Sequence, residues 1–170
     1  LPSTLLAMTI LVAGSSGLIG TALVGSLRAD GIAVRRLVRS SGGDGGVVWD
    51  PVAGHLPAGA LDGVTAVVNL GGRSIGERRW SAAERQRLID SRIVSTRLLA
   101  ETIARLPSPP ALLTASAIGI YGDRGDAVVD ESAPVGSGFL ADLAAAWEAA
   151  AAPAGAAGSR VVMLRSGIVL

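Results

Sequence analysis

Three glycines near the start of the chain have the spacing of a phosphate-binding turn. An apolar run typical of a buried strand, Ile10–Ala13, leads directly into the pattern G-x-x-G-x-x-G. In such a turn the first glycine permits a tight bend, the second lets a pyrophosphate approach the backbone, and the third lets helix and strand pack closely. The N–H groups that open the following helix would bind the phosphates. The predicted dinucleotide contacts are Gly14, Ser15, Ser16, Gly17, Leu18, Ile19 and Gly20.

The alternative interpretation of this segment is a tight strand–helix turn that binds no ligand. Glycine spacing alone is a weak signal, and its position between a strand and a helix makes it more specific. The apolar face of the segment after Gly20 supports a helix there. We therefore expect a dinucleotide-binding unit.

An arginine stands where the second strand of such a unit ends. Sites for NAD usually carry a carboxylate about 20 positions beyond the glycines, bonded to the ribose 2′-hydroxyl. In this chain Arg39 and Ser40 follow the predicted strand 32–38 at that place. A guanidinium fork suits a phosphate, so we predict that both residues bind the 2′-phosphate of NADP(H). A solvated arginine at a strand end is the alternative.

Composition limits the other classes of function. The chain has 170 residues, a formal charge of +1 and no cysteine. These values predict a single domain, with no nucleic-acid partner, no thiol chemistry and no membrane span. His55 is the single histidine, so no metal site is expected. We expect residues 1–8 to be a leader or linker and residues 9–170 to be an NAD(P)-binding Rossmann domain, cytoplasmic because no signal peptide is evident.

The rest of the chain alternates apolar strands with helical segments. Further strands are predicted at 47–49, 64–70, 111–117 and 160–164. One helix is predicted to follow the capping box Ser81–Glu84. Another is predicted at about 139–151, with Pro153 ending it. Right-handed crossovers then give a Rossmann-like, doubly wound parallel sheet with strand order 3-2-1-4-5-6. Ligands of such a sheet bind outside the carboxyl ends of its strands.

An ordered set of short segments resembles one protein family. The set consists of Trp49–Pro51, Val67–Gly72, Arg79–Trp80, Ser91–Arg92, Ser116–Gly119, Tyr121–Asp123, Trp147–Glu148, Arg160–Val162 and Leu164–Leu170. Together with the glycine turn, it is similar to the extended and atypical short-chain dehydrogenase/reductase superfamily. Within that superfamily it most resembles the epimerase-like proteins often labelled nucleoside-diphosphate-sugar epimerases.

The resemblance implies an NADP(H)-binding oxidoreductase or epimerase acting on a small-molecule substrate such as a nucleotide sugar. It places Asn69, Leu70 and Gly71 near the cofactor, and it implies a homodimer. Members of the family continue well beyond this length. The chain is therefore expected to be truncated before the last strand and the substrate-binding region.

The superfamily's usual catalytic pair is missing from the chain. A Tyr-x-x-x-Lys pair normally lies on the helix after the fifth strand, where the lysine lowers the tyrosine pKa. Here Phe139 and Leu140 stand near the tyrosine position, and the chain has no lysine. The resemblance places Ser116 beside both cofactor and substrate. Tyr121, the remaining phenol, is the second catalytic candidate.

Two alternatives remain open for these residues. Tyr121 either handles a substrate proton or packs beneath its loop and closes the cofactor pocket. The protein as a whole is either an enzyme or a catalytically inactive NADPH-binding sensor or scaffold. The missing Tyr/Lys pair favours an inactive binding protein, whereas the retained Ser116 and Tyr121 favour an enzyme.

Overall fold

Six parallel strands form the centre of the structure, a computed structural model that describes residues 8–41, 45–76 and 78–169. Their order in the sheet is β3-β2-β1-β4-β5-β6, which confirms the predicted order and the Rossmann-like class. Of the predicted leader, residues 1–7 lie outside the described residues. The strands are β1 (Thr9–Ala13), β2 (Ala33–Val38), β3 (Val47–Val48), β4 (Ala66–Asn69), β5 (Ala111–Ala117) and β6 (Val161–Ser166).

Helices connect the strands on both faces of the sheet. The helices are α1 (Leu18–Ala29), α2 (Ala82–Ala104), α3 (Phe139–Ala149) and α4 (Ala152–Ala156). A 3-10 turn, Ile118–Tyr121, follows β5 directly. Among the described residues, no helix is both long enough and apolar enough to cross a membrane.

The central strand β1 is buried on both faces, as expected of a parallel strand between two helical layers. Leu11 packs with Leu99 of α2 and with residues of α4, whereas Val12 packs with Val24 of α1. Alternate residues of one short apolar run therefore enter two different cores. This double anchoring fixes the position of the turn that follows β1.

The prediction that Pro153 ends a helix is wrong. Helix α3 ends at Ala149, and Pro153 lies in the first turn of α4. A proline lacks the backbone N–H, but N–H groups in the first turn of a helix have no partner within that helix. Proline therefore starts the short helix α4, where the sequence pattern had suggested a stop.

A buried hydroxyl joins the sheet to two helices. Thr96 of α2 is 0% exposed, and its Oγ1 accepts hydrogen bonds from Asn69 Nδ2 and Trp147 Nε1, each at 2.9 Å. Asn69 ends β4 and Trp147 belongs to α3, so one oxygen satisfies donors from two other elements. The end of β4 is consequently fixed beneath the carboxyl edge of the sheet.

Replacing Thr96 with valine tests this junction. Thr96→Val keeps the side-chain shape but leaves two buried N–H donors without their acceptor, so we expect a loss of about 3 kcal/mol in the free energy of unfolding. Thr102→Val is the control, because Thr102 Oγ1 only donates to the Leu98 carbonyl within α2. Urea denaturation measures both. Equal losses in the two variants would contradict the assigned role of Thr96.

Candidate functional site

The glycine turn after β1 contacts neighbouring backbone directly. Gly14 has φ of 77°, and a Cβ built there would lie 2.6 Å from the carbonyl carbon of Leu70. A Cβ at Gly20 would lie 2.1 Å from the Gly14 carbonyl oxygen. Any side chain at either position would therefore push the turn away from β4 or α1 away from the turn.

The first turn of α1 is open to an anion. Its N-cap is Gly17, no side chain caps it, and no acidic residue lies in its first turn. Helix α2 differs, because Ser81 Oγ accepts a hydrogen bond from the Glu84 N–H there. The first N–H groups of a helix have no partner within it, and the helix dipole makes that end positive. Helix α1 therefore offers its positive end to a ligand at the carboxyl edge of the sheet.

A cavity of about 540 Å³ opens beside this turn. We call it the arginine cavity. It reaches from the end of β2 across the glycine turn to α2. Its lining residues are Gly14, Ser15, Ser16, Gly17, Arg36, Leu37, Val38, Arg39, Ser40, Trp49, Pro51, Val52, Leu70, Gly71, Gly72, Asp90, Ser91 and Ser95.

Two arginines from β2 and its end line the arginine cavity. Arg36 lies within β2, and its Nε donates to Ser15 Oγ of the glycine turn at 3.2 Å. Arg39 follows β2 and is exposed. Both residues therefore line the space where a phosphorylated ribose would lie if a dinucleotide placed its pyrophosphate over Gly17.

A second cavity, of about 270 Å³, lies on the other side of the glycine turn. We call it the apolar cavity, because most of its side chains are aliphatic. It shares Gly14, Gly17, Leu70 and Gly72 with the arginine cavity, so the two spaces meet at the turn. The remaining lining residues are Leu18, Ile19, Gly20, Ala115 and Val169.

Asn69 lies outside the lining of both cavities. Its side chain is 0% exposed, donates to Thr96, and accepts a hydrogen bond from the Gly71 N–H at 3.2 Å. Leu70 and Gly71 themselves do line the arginine cavity. The structure therefore places Asn69 underneath the predicted cofactor site, where it holds the backbone of the turn that lines it.

Ser116 and Tyr121 also lie outside both cavities, but they join one polar network. Ser116 Oγ donates to Glu148 Oε1 at 2.5 Å, and Arg165 Nη1 donates to Tyr121 Oη at 2.9 Å. Arg165 also donates to both Glu148 oxygens, at 2.8 and 2.9 Å. Ser116 is 3% exposed and Tyr121 is 7% exposed. The network ties together the ends of β5 and β6, the 3-10 turn and α3.

The charges in this network reinforce each other. The hydrogen bond from Arg165 holds the pKa of the Glu148 carboxyl below its usual range, against the effect of burial and with help from the Ser116 hydroxyl. Glu148 in turn raises the pKa of the Arg165 guanidinium. The pair is therefore charged in the folded protein near neutral pH.

The sequence patterns did not single out two charged residues of the arginine cavity. Arg36 lies inside the predicted second strand. Because arginine is seldom found in an apolar strand, its position there could have indicated a functional role. Asp90 lies on α2, whose polar positions carried no such signal. Its place at the cavity depends on how α2 packs across the end of β4.

Comparison with known proteins agrees with the fold. A sequence model of the NAD dependent epimerase/dehydratase family matches residues 10–167. An epimerase family protein of Mycobacterium bovis is 46% identical over 162 residues, which cover 95% of this chain and 54% of the relative. The crystal structure of the human epimerase family protein SDR39U1 (isoform 2) with NADPH matches with a TM-score of 0.83 and 38% identity, over 96% of this chain and 55% of that one.

A structure described as a nucleoside-diphosphate sugar epimerase from Corynebacterium glutamicum is also similar. Its TM-score is 0.83 at 35% identity, over 96% of this chain and 34% of that one. The chain belongs to the NAD dependent epimerase/dehydratase family and has the Rossmann-like fold of its epimerase-like relatives. It spans about half the length of the curated relatives it matches.

Glycine-to-alanine changes on one helix test the close contact at the turn. Gly20→Ala should destabilise the protein by several kcal/mol, about 3 or more, because its Cβ meets the Gly14 backbone. Gly25→Ala is the matched control on α1. A Cβ at Gly25 meets nothing within 4 Å, and alanine favours helix by about 1 kcal/mol. Thermal unfolding compares the two; a Gly20→Ala protein as stable as the control would rule out the contact.

The Glu148–Arg165 pair predicts a pH-dependent difference in stability. The folded-state pKa of Glu148 is lowered, so its contribution is complete above the unfolded pKa of about 4.3 and is lost as pH falls through the lower folded value. Glu148→Gln should therefore cost about 2 kcal/mol at pH 7 and progressively less below about pH 4. Urea titrations at several pH values measure the difference.

Glu101→Gln, on α2, is the control for this comparison. Glu101 is half-buried, and its replacement should change stability by less than about 0.5 kcal/mol at every pH. A cost of Glu148→Gln that stays constant, or grows, from pH 7 to pH 3 would show that the carboxylate pairing with Arg165 does not contribute as described.

Proposed function

We propose that the protein binds NADP(H) and is an oxidoreductase or epimerase-like enzyme acting on a small-molecule substrate. The observation that carries the proposal is the arginine cavity itself. In one space it combines a turn whose Gly14 and Gly17 leave the backbone accessible, the uncapped start of α1, and the residues Arg36 and Arg39. The turn and the start of α1 suit a pyrophosphate. The two guanidinium groups suit a 2′-phosphate.

The two cavities suit the two halves of a dinucleotide. The pyrophosphate would lie over Gly17, where the cavities meet, and the adenosine 2′-phosphate would enter the arginine cavity. The nicotinamide would then occupy the apolar cavity, beside Ile19 and Ala115. A flat, weakly polar ring favours such an apolar lining. The structure of the human relative was determined with NADPH, which supports NADP(H) as the cofactor proposed here.

When bound, the nicotinamide supplies hydride transfer to or from a carbon that bears an oxygen. The chain's own part is to bind and orient the cofactor and to keep water from its apolar end. We assign the handling of the substrate oxygen to Ser116 and Tyr121, which the Glu148–Arg165 pair holds at the carboxyl edge of the sheet. A nucleotide sugar is the substrate class favoured by the Corynebacterium relative.

A second candidate function is an NADPH-binding sensor or scaffold without turnover. The observation that favours it is the burial of Ser116 and Tyr121, whose oxygens are both engaged by Glu148 or Arg165. The two functions differ in one measurable property. An oxidoreductase oxidises bound NADPH in the presence of a carbonyl substrate, and an epimerase interconverts its substrate without net change of the cofactor. Tyr121→Phe or Ser116→Ala slows either turnover, whereas a sensor shows neither.

Loss of the Arg39 guanidinium should remove the preference for the phosphorylated cofactor. We expect the unaltered protein to bind NADPH at least tenfold more tightly than NADH, a difference of about 1.4 kcal/mol. Arg39→Ala should weaken NADPH binding by about that factor and leave NADH binding within threefold. Titration of the fluorescence of the reduced nicotinamide measures all four dissociation constants.

Arg97→Ala is the matched control, since Arg97 is exposed on α2 and does not line the arginine cavity. It should bind both nucleotides as the unaltered protein does. Equal affinity of the unaltered protein for NADPH and NADH would contradict the assignment of the 2′-phosphate, and failure to bind either would contradict the proposed function.

A further inference from the structure

The guanidinium of Arg92 lies behind the point where the two cavities meet. Arg92 belongs to α2 and is half-buried, and a Cβ built at Gly72 would lie 3.4 Å from its guanidinium carbon. Gly72 lines both the arginine cavity and the apolar cavity. Because glycine has no side chain, none stands here between the guanidinium and the space that a ligand would occupy.

In the described part of the chain, Arg92 forms hydrogen bonds with neutral groups only. Its Nη2 donates to the Arg73 carbonyl at 2.8 Å, and its Nη1 donates to the Leu88 carbonyl and to Ser91 Oγ, each at 3.3 Å. The guanidinium also lies over Trp147, with its carbon 5.2 Å from the ring centroid. None of the described ion pairs includes Arg92. Burial lowers the pKa of the guanidinium, which still carries its charge near neutral pH.

The apolar cavity does not supply an opposite charge. Among the described residues that line it, none carries an acidic side chain. The nicotinamide is proposed to occupy this cavity, beside Ile19 and Ala115. Its ring is neutral in NADPH and positively charged in NADP⁺, whereas the phosphates are the same in both. The two forms of the cofactor therefore differ in charge at the nicotinamide end.

A positively charged ring in the apolar cavity is disfavoured for two reasons. The lining removes water from the charge and replaces it with no carboxylate. Arg92 adds repulsion, which is stronger in partly buried surroundings than in water. Arg36 and Arg39 add less, because in the proposed placement they lie at the adenosine end, beyond the negative pyrophosphate. The oxidised ring meets both effects, and the neutral reduced ring meets neither.

We infer that Arg92 is a specificity-determining residue that makes the site prefer the reduced cofactor, NADPH, to the oxidised cofactor, NADP⁺. The inference rests on the proposed binding of NADP(H). Arg92 acts across Gly72 through its charge, so a replacement that keeps the charge should keep the preference. A site of this kind retains NADPH and releases NADP⁺ more readily.

The test compares the dissociation constants of NADPH and NADP⁺ on one protein preparation, so their ratio does not depend on the fraction that is folded. Fluorescence of the reduced nicotinamide reports NADPH directly, and NADP⁺ is titrated in competition with it. We expect the unaltered protein to bind NADPH about tenfold more tightly than NADP⁺. Arg92→Met removes the charge and keeps an unbranched side chain, so the two constants should come within about threefold. Arg92→Lys keeps the charge and should keep a preference of about fivefold or more.

Arg97→Met is the matched control, since Arg97 is exposed on the same helix and lines neither cavity. It should keep the preference of the unaltered protein. The inference is overturned if the unaltered protein binds NADPH and NADP⁺ equally, or if Arg92→Met still discriminates between them as the unaltered protein does.

Two further outcomes also overturn the inference. Loss of the preference in Arg92→Lys as well as in Arg92→Met would show that the charge is not its cause. Absence of binding of either nucleotide to Arg92→Met would show that Arg92 is needed for binding as such. Failure of the unaltered protein to bind NADPH instead overturns the proposed function together with this inference.

Discussion

The architecture of the site depends on direct backbone contact at the glycine turn. Gly14 lies against the backbone of Leu70, and Gly20 lies against Gly14 itself. These contacts bring the end of β1, the end of β4 and the start of α1 closer together than side chains would allow. The two cavities share this point of contact. The pyrophosphate assigned above is therefore located relative to a few backbone atoms, whereas the 2′-phosphate is assigned to arginine side chains.

The first turns of α1 and α2 differ in whether side chains of the helix itself interact with them. At the start of α2, Ser81 Oγ accepts a hydrogen bond from the Glu84 N–H. The Glu84 carboxylate places a negative charge near the positive end of the helix. Glu84 pairs in turn with Arg73 and Arg87. Helix α1 begins with Gly17 and has neither kind of residue in its first turn. The first turn of α1 therefore carries no acidic side chain of its own, and a bound phosphate would supply the counter-charge.

Local patterns were sufficient to predict the order of the sheet and the position of the turn. Apolar runs, glycine spacing and capping residues act over a few positions, and β5 was predicted at its observed bounds. Contacts between distant segments were not predictable in this way. Arg165 reaches Tyr121 across 44 positions, and Asp90 reaches the arginine cavity through the packing of α2. The roles predicted for Ser116 and Tyr121 in catalysis, and for Arg39 and Ser40 in phosphate binding, remain predictions.

A crystal structure of the protein with NADPH would show where each half of the cofactor lies. We expect the pyrophosphate over Gly17 at the start of α1, the 2′-phosphate within hydrogen-bond distance of the Arg39 guanidinium, and the nicotinamide in the apolar cavity. A cofactor with its 2′-phosphate away from both Arg36 and Arg39, or with its two ends exchanged between the cavities, would contradict this placement.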